Sequence, residues 1–288
     1  MSDMRSEEKI AVVTDSTCDI EAEKLKNRGI RSLPLKVIIE DEQYLDRVNI
    51  TPSRVYEIME EKTPTTSMPS PGEIEELYKK LGDEGYTHII SVHISGGLSA
   101  TCDNCHLVAS RMDEMEVSVI DSGMLSMGLG RLVLFAQDLV DEGKPGFSEI
   151  VERVRAKKDE IKLYFVVKTL KYLKAGGRIG KVSGTIGELL NIKPIIAIDE
   201  EGEYYTAEKV RGRAASLNKM AELIEAEMEE TAGYALDIMH ADAGDEAEKI
   251  REKFKDKDPI REINVGQISP VMVVHAGPGL LGMALCKI

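Results

Sequence analysis

Tryptophan is absent from this sequence, and phenylalanine occurs only four times. A buried interior must therefore be assembled from Leu, Ile, Val, Met and Ala. Cysteine is also scarce, at Cys18, Cys102, Cys105 and Cys286. The opening residues MSDMRSEEKI hold no apolar stretch and no cleavage signal. The expectation is a cytoplasmic chain whose cysteines are thiols, not a disulfide frame. No run approaches the ~18–20 apolar positions of a membrane-spanning helix, so stable membrane insertion is not expected. Clustered cations are missing as well. The formal net charge is −14, with Lys and Arg dispersed among acids. That argues against a nucleic-acid partner, because such proteins neutralise phosphates with grouped Lys and Arg.

What is present suits a folded α/β protein. The 288 residues are 42% hydrophobic and 31% charged, enough for two ordinary domains with buried cores. Strand-like apolar runs alternate with helical patterns. In the first half, strands are expected at 10–13, 33–39, 88–94 and 117–120. Helices are expected at 21–28, after the N-cap and first-turn proline of Thr51-Pro52, and after the capping box Ser70-Pro71-Gly72-Glu73. In the last of these, Ile74, Leu77, Tyr78 and Leu81 share one face. Another helix follows the turn Ser95-Gly96-Gly97-Leu98-Ser99. A long apolar one at 124–140 should be buried on most sides. A turn-rich break at 141–146 follows.

The second half changes character. A strand at 163–167 leads to a short helix over 170–179 closed by glycines. Segments 194–198 and 204–209 flank Asp199-Glu200-Glu201-Gly202 as a hairpin. Leu217, Ala221, Ile224 and Met228 form a helix face, and strands are expected at 235–239, 260–265 and 271–274. Short turns between successive strands point to a mixed or antiparallel sheet. The domain boundary is placed near residue 160, giving domains of 1–160 and 161–288.

Three motifs tempt and fail. Cys102-Asp103-Asn104-Cys105-His106 spells the haem-attachment pattern, but covalent attachment follows export. The same residues offer three zinc ligands, and a closed site needs a fourth. Their plainer reading is two small residues on the first turns of a helix, a position that lowers a thiol pKa and allows modest redox sensitivity. Gly277-Pro278-Gly279-Leu280-Leu281-Gly282 fits G-x-G-x-x-G, read as lying between a strand and a helix. Ile288 leaves no room for the second strand and ribose-binding acid of a dinucleotide fold. A glycine turn at a helix N-terminus, favourable to an anion, is what remains. Gly180-Lys181-Val182-Ser183 lacks the hydroxyl at 182 and the glycine at 175 of a P-loop. No metal and no cofactor are expected.

Three small polar clusters remain: Asp15-Ser16-Thr17, Thr65 to Ser70, and Ser95 to Thr101. Each has two readings. Ser and Thr are ordinary N-caps. Grouped hydroxyls and free N–H groups at the carboxyl ends of parallel strands also suit an oxyanion.

Val-Thr-Asp-Ser-Thr (13–17), Thr-Ser-Met-Pro-Ser (66–70), Ile-Ser-Gly-Gly-Leu-Ser-Ala-Thr (94–101), Val-Ile-Asp-Ser (119–122), Leu-Lys-Tyr-Leu-Lys-Ala-Gly-Gly-Arg-Ile (170–179), Leu-Leu-Asn-Ile-Lys-Pro-Ile (189–195), Lys-Val-Arg-Gly (209–212) and His-Ala-Gly-Pro-Gly (275–279) occur in this order. Together they resemble the landmarks of the DegV family. The resemblance implies an N-terminal parallel-sheet α/β domain and a C-terminal α/β domain with a mixed or antiparallel sheet. A long-chain fatty acid would be buried between them as the ligand, and the chain would perform no chemistry of its own. It further implies that Thr66 and Ser95 hold the carboxylate, with Ser67, Gly96 and Ser99 close by and Arg178 and His275 near it. Arg211 would lie on the surface met by a fatty acid kinase, which phosphorylates the bound acid to an acyl phosphate. The sequence departs from the family pattern at Ala100, at Cys102 and Asp103, and at Met68, which bears on pocket shape. Two other readings stand beside this one. Ser95 with His275 would make a serine-dependent acyl hydrolase, although no G-x-S-x-G elbow is present. A carrier of another amphiphilic acid is the third.

Overall fold

The computed structural model describes residues 8–185 and 191–288. Leu189 and Leu190 of the 189–195 motif, and the first seven residues, lie outside the described residues.

The N-terminal half begins with strand β1 (Ile10–Asp15), helix α1 (Ala22–Asn27) and strand β2 (Arg31–Leu33). Strands β3 (Lys36–Ile39) and β4 (Glu42–Leu45), helix α2 (Pro52–Glu61), strand β5 (Thr65–Ser67) and helix α3 (Pro71–Asp83) follow. Then come strand β6 (His88–His93), helix α4 (Thr101–Ala109), strand β7 (Glu116–Asp121), and helices α5 (Ser126–Glu142) and α6 (Phe147–Lys157). Strands β2, β1, β6 and β7 form a parallel sheet in that order, while β4, β3 and β5 form a small antiparallel one. The helix starts follow local chemistry. Thr51 accepts from Arg54 N, and Ser70 with Glu73 closes a full capping box.

One expected strand divides. The run 33–39 breaks at Pro34, which has no N–H to give. Before it, Leu33 pairs with Asp15 in the parallel sheet. After it, Leu35 N donates to Ser16 Oγ and β3 turns into the small sheet. The Thr65 cluster consequently lies in an antiparallel edge, not at the carboxyl end of a parallel strand.

The C-terminal half holds strand β8 (Ile161–Val166), helix α7 (Lys171–Ala175), strands β9 (Ile192–Ile198) and β10 (Tyr204–Arg211), and helix α8 (Arg213–Ala226). Strand β11 (Tyr234–His240), helix α9 (Gly244–Phe254), strand β12 (Ile260–Gln267), helix α10 (Pro270–Ala276) and strand β13 (Leu281–Lys287) complete it. Their mixed sheet has the order β10-β9-β8-β13-β11-β12, with β11 and β12 parallel and the other pairs antiparallel. The hairpin at 199–202 is present, and Met228 falls just beyond α8.

The run 271–274 is helix, not strand. Ser269-Pro270 places proline in the first helical turn, and Val273 N donates to Ser269 O. All four residues of the run are buried, so no polar face marks a helical period. Gly277-Pro278-Gly279 therefore follows a helix and precedes strand β13, which removes the anticipated anion-binding helix start. Helices α6 and α9 went unanticipated, although Phe147, Ile150, Val151 and Val154 of α6 stand at helical spacing.

Helix α5 packs on β1 and β6 of one sheet and on β8, β11 and β13 of the other. One apolar cluster runs from Val12, Ile90 and Val92 through Leu129 and Leu132 to Phe165, Met239 and Ala284. The two halves thus share a core.

Candidate functional site

Within that shared core lies a cavity of about 280 Å³. Leu35, Ile94 and Leu98 wall it from the N-terminal half. Phe165, Met283 and Ala284 wall it from β8 and β13, and Val271, Met272 and Ala276 from α10. Such a lining is apolar over most of its length and suits an alkyl chain. At one point inside, the Ser126 hydroxyl donates to Asp19 Oδ2 at 2.6 Å. The Asp19 carboxylate is buried, and also accepts from Arg47 at 2.8 Å and from Ser269 N at 2.8 Å.

The polar side chains gather at one end. Thr66, Ser67, Ser99, Arg178 and His275 all reach the cavity wall. Thr66 comes from β5, His275 from the last turn of α10, and Arg178 from the glycine-rich turn after α7. Thr66 Oγ1 lies 2.7 Å from His275 Nε2. His275 Nδ1 is buried with no hydrogen-bond partner. Burial, helped by the nearby Arg178 guanidinium, pushes the His275 pKa down to about 4. The ring is thus neutral at pH 7. Arg178 Nε donates to Leu98 O at 3.2 Å and Nη1 to Gly176 O at 2.8 Å. It makes no ion pair with a carboxylate among the described residues, so its charge is available to an incoming anion. Ser99 Oγ is 2.9 Å from Thr101 Oγ1, and Ser67 Oγ donates to Met68 O.

Other sequence candidates stand elsewhere. Ser95 is fully buried behind the wall, where its hydroxyl donates to Gly202 O at 2.8 Å and accepts from Gly97 N. Gly96 is exposed, its N–H directed to Asp121. Neither lines the cavity. A Ser95–His275 dyad is not formed: the Ser95 hydroxyl is engaged by Gly202 and Gly97, and His275 meets Thr66 instead. Arg211 is exposed at the end of β10.

The Asp15-Ser16-Thr17 cluster is consumed internally. Asp15 accepts from Thr17 N and Ile94 N and meets His93, while Ser16 accepts from Leu35 N. His93 in turn lies 2.7 Å from Ser91. This Ser-His-Asp order mimics a catalytic triad, but all three side chains are buried and none lines the cavity. Cys102 and Cys105 are buried on α4, and burial drives the Cys102 pKa up to about 12. The expected lowering by the helix N-terminus is overridden by desolvation.

Sequence reasoning missed a second cavity, of about 190 Å³, on the other side of the Thr66–His275 contact. Thr66, His275 and Arg178 line both, and Lys62, Lys171 and Tyr172 line only the second. A signal for it existed. Residues 168–181 hold five cations and no acid in a chain of net charge −14.

Comparison with known proteins agrees with the fold. Residues 9–287 match the family described as "Uncharacterised protein, DegV family". A DegV domain-containing protein of Clostridium acetobutylicum is 43% identical over 280 residues, covering 97% of this chain and 99% of its own length. A fatty-acid-binding DegV family protein from Thermus thermophilus superposes with a TM-score of 0.91 at 30% identity, over 97% of this chain and 100% of that one. DegV from Bacillus subtilis, a fatty acid binding protein, gives 0.90 at 31%, over 97% and 99%. The ordered motifs, the two sheets and these full-length matches agree, and the chain belongs to the DegV family.

Proposed function

We propose that this protein binds a long-chain fatty acid with its tail in the apolar cavity of the shared core and its carboxyl group at Thr66, His275 and Arg178. One observation carries the reading. A mostly apolar cavity ends at an arginine with no carboxylate partner among the described residues, beside a hydroxyl–imidazole pair. A buried carboxylate is costly unless paired or hydrogen-bonded, and this end meets both needs. Each buried methylene contributes ~0.8 kcal/mol, so a long tail supplies most of the affinity. Ser67 and Ser99 complete the polar rim, while Ser95 supports it from behind. Residues 1–160 carry most of the hydroxyl-bearing loops, and 161–288 cover the acyl chain.

The protein acts as a cytoplasmic carrier, not an enzyme. It presents the carboxyl group to a fatty acid kinase, which transfers the γ-phosphoryl group of ATP to a carboxylate oxygen. ADP is released and the acyl phosphate stays on the carrier as a precursor for phospholipid synthesis. Arg211, exposed beside the start of α8, belongs to the docking face. Lipid extraction and mass spectrometry of protein purified from a bacterial host should return about one long-chain fatty acid per chain. Protein that neither carries nor takes up fatty acid would overturn the reading, and a different amphiphilic acid in the extract would redirect it. Arg211→Ala should keep its lipid and slow phosphorylation by the kinase, since truncating an interface Arg removes part of partner binding. Ester hydrolysis by the protein alone would favour an enzyme instead.

A further inference from the structure

Away from the carboxyl end, the cavity wall carries one hydroxyl among the described residues. Thr66, Ser67 and Ser99 gather near His275, and Tyr204 lies within the field of Arg178. Ser126, at the start of α5, stands apart. Its hydroxyl donates to Asp19 Oδ2 at 2.6 Å. The proton is thereby committed, and Ser126 Oγ offers the cavity only lone pairs.

The polar group behind it has unused capacity. Asp19 Oδ1 accepts from Arg47 and from Ser269 N, both at 2.8 Å. Burial works against the charge on Asp19, and the Arg47 guanidinium with the Ser126 and Ser269 donors supports it. Arg47 Nε and Ser269 Oγ are buried atoms of the same group, and neither has a partner among the described residues. Asp19, Arg47 and Ser126 all hold left-handed backbone, with φ of 56°, 58° and 52°. Residues other than glycine adopt that conformation at a cost.

Position along the ligand follows from α10. Val271, Met272, His275 and Ala276 set this helix along the cavity. His275 marks the end that meets the carboxyl group, and Ser269, bonded to Asp19, precedes the other end. At ~1.5 Å per residue, the two stand roughly 9 Å apart along the axis. An extended alkyl chain advances roughly 1.3 Å per carbon, given C–C bonds of about 1.5 Å. With the carboxyl group just beyond the imidazole, Ser126 faces about the eighth to tenth carbon.

We infer that Ser126, backed by Asp19, is a subsite for a hydroxyl group in the middle of the acyl chain, so that the protein takes hydroxylated long-chain fatty acids. The ligand hydroxyl donates to Ser126 Oγ. A methylene leaves Oγ with the one bond it has, and a ketone oxygen, which cannot donate, meets lone pairs. The inference rests on the fatty acid reading above and deepens it by naming a ligand class.

Competition against a fluorescent fatty acid on lipid-stripped protein tests this, with octadecanoate, 10-hydroxyoctadecanoate and 10-oxooctadecanoate as probes. The hydroxy acid should bind about tenfold more tightly than the keto acid, the scale of one buried hydrogen bond made against one left unmade. In Ser126→Ala that ratio should fall below about threefold. The variant deprives Asp19 of a donor, and if it fails to fold, the hydroxy and keto acids on the unaltered protein still decide. A keto acid bound as tightly as the hydroxy acid, or a gap that survives Ser126→Ala in full, would overturn the subsite. Octadecanoate binding in the same assay would then leave the fatty acid reading intact. Failure of all three probes would remove that reading and this inference with it.

Discussion

His275 is held between a hydroxyl and a backbone that leaves it no slack. A Cβ at position 176 would come within 2.2 Å of its Nδ1, so the ring can sit there only because residue 176 is glycine. Burial, with the Arg178 charge nearby, disfavours a proton on the ring, whose Nε2 meets Thr66 and whose Nδ1 is unpartnered. Its pKa is about 4 in the folded protein, against roughly 6.5 in the unfolded chain. The unfolded state then binds more protons between those values. Stability from the neutral ring is complete above pH 6.5 and is lost as pH falls toward 4. We expect His275→Gln in lipid-free protein to lose roughly 2 kcal/mol less stability than wild type between pH 7.5 and 4.5. Urea unfolding at the two pH values measures this, since the carboxylates titrate in both proteins. An identical pH dependence would mean that the ring is not buried in its neutral form.

Among elements, the turn after β6 meets the β9–β10 turn at Ser95. A Cβ on Gly202 would lie 2.0 Å from Ser95 Oγ, and one on Gly97 would lie 2.6 Å from Gly202 O. The Ser95 hydroxyl is therefore a strut between two turns. Ser95→Ala should cost about 1–3 kcal/mol of stability, because buried backbone groups lose their partner. Thr66→Val, which removes a hydroxyl from the cavity wall, should weaken fatty acid binding more than Ser95→Ala does. Paired unfolding and binding measurements decide. A Ser95→Ala protein of wild-type stability that no longer binds fatty acid would place its hydroxyl on the ligand.

This distinction was not legible in the sequence, where Ser95 and Ser99 belong to one motif and only the turn geometry tells which faces inward. The N-cap of α2 and the capping box of α3 were legible because their signals are local. So was the alternation that makes β1, β6 and β7 a parallel set. Helix α10 was not, since a run buried on all sides has no period to read and β-branched residues imitate a strand. The break at Pro34 was written in the chain and overlooked inside an apolar run. Arg178, Thr66 and His275 are far apart in sequence, so no pattern within the chain says that one cavity end collects them. The ordered motifs did so only through resemblance.

At the scale of the molecule, the cavity lies between two sheets that must be held at a fixed separation. Much of that task falls to Arg131 on α5. Its side chain is 8% exposed and its Nε and Nη2 donate to both oxygens of Asp237 on β11, at 2.6 and 2.9 Å. Nη1 reaches Glu262 on β12 at 2.9 Å, and Asn264 donates to Asp237 Oδ1. Burying these charges is expensive, and the bidentate geometry offsets that expense only while both partners are present. Arg131→Met should therefore cost about 3–5 kcal/mol, most of it from leaving Asp237 buried and unpaired. The double variant Arg131→Met with Asp237→Leu should recover a large part of the loss, because it removes the stranded charge. Denaturant unfolding of the four proteins gives the coupling energy directly. A loss below about 1 kcal/mol in the single variant, or a double variant as unstable as the sum of the singles, would show that the pair does not clamp α5 to the second sheet. The cavity walls would then owe their spacing to the apolar contacts of α5 alone.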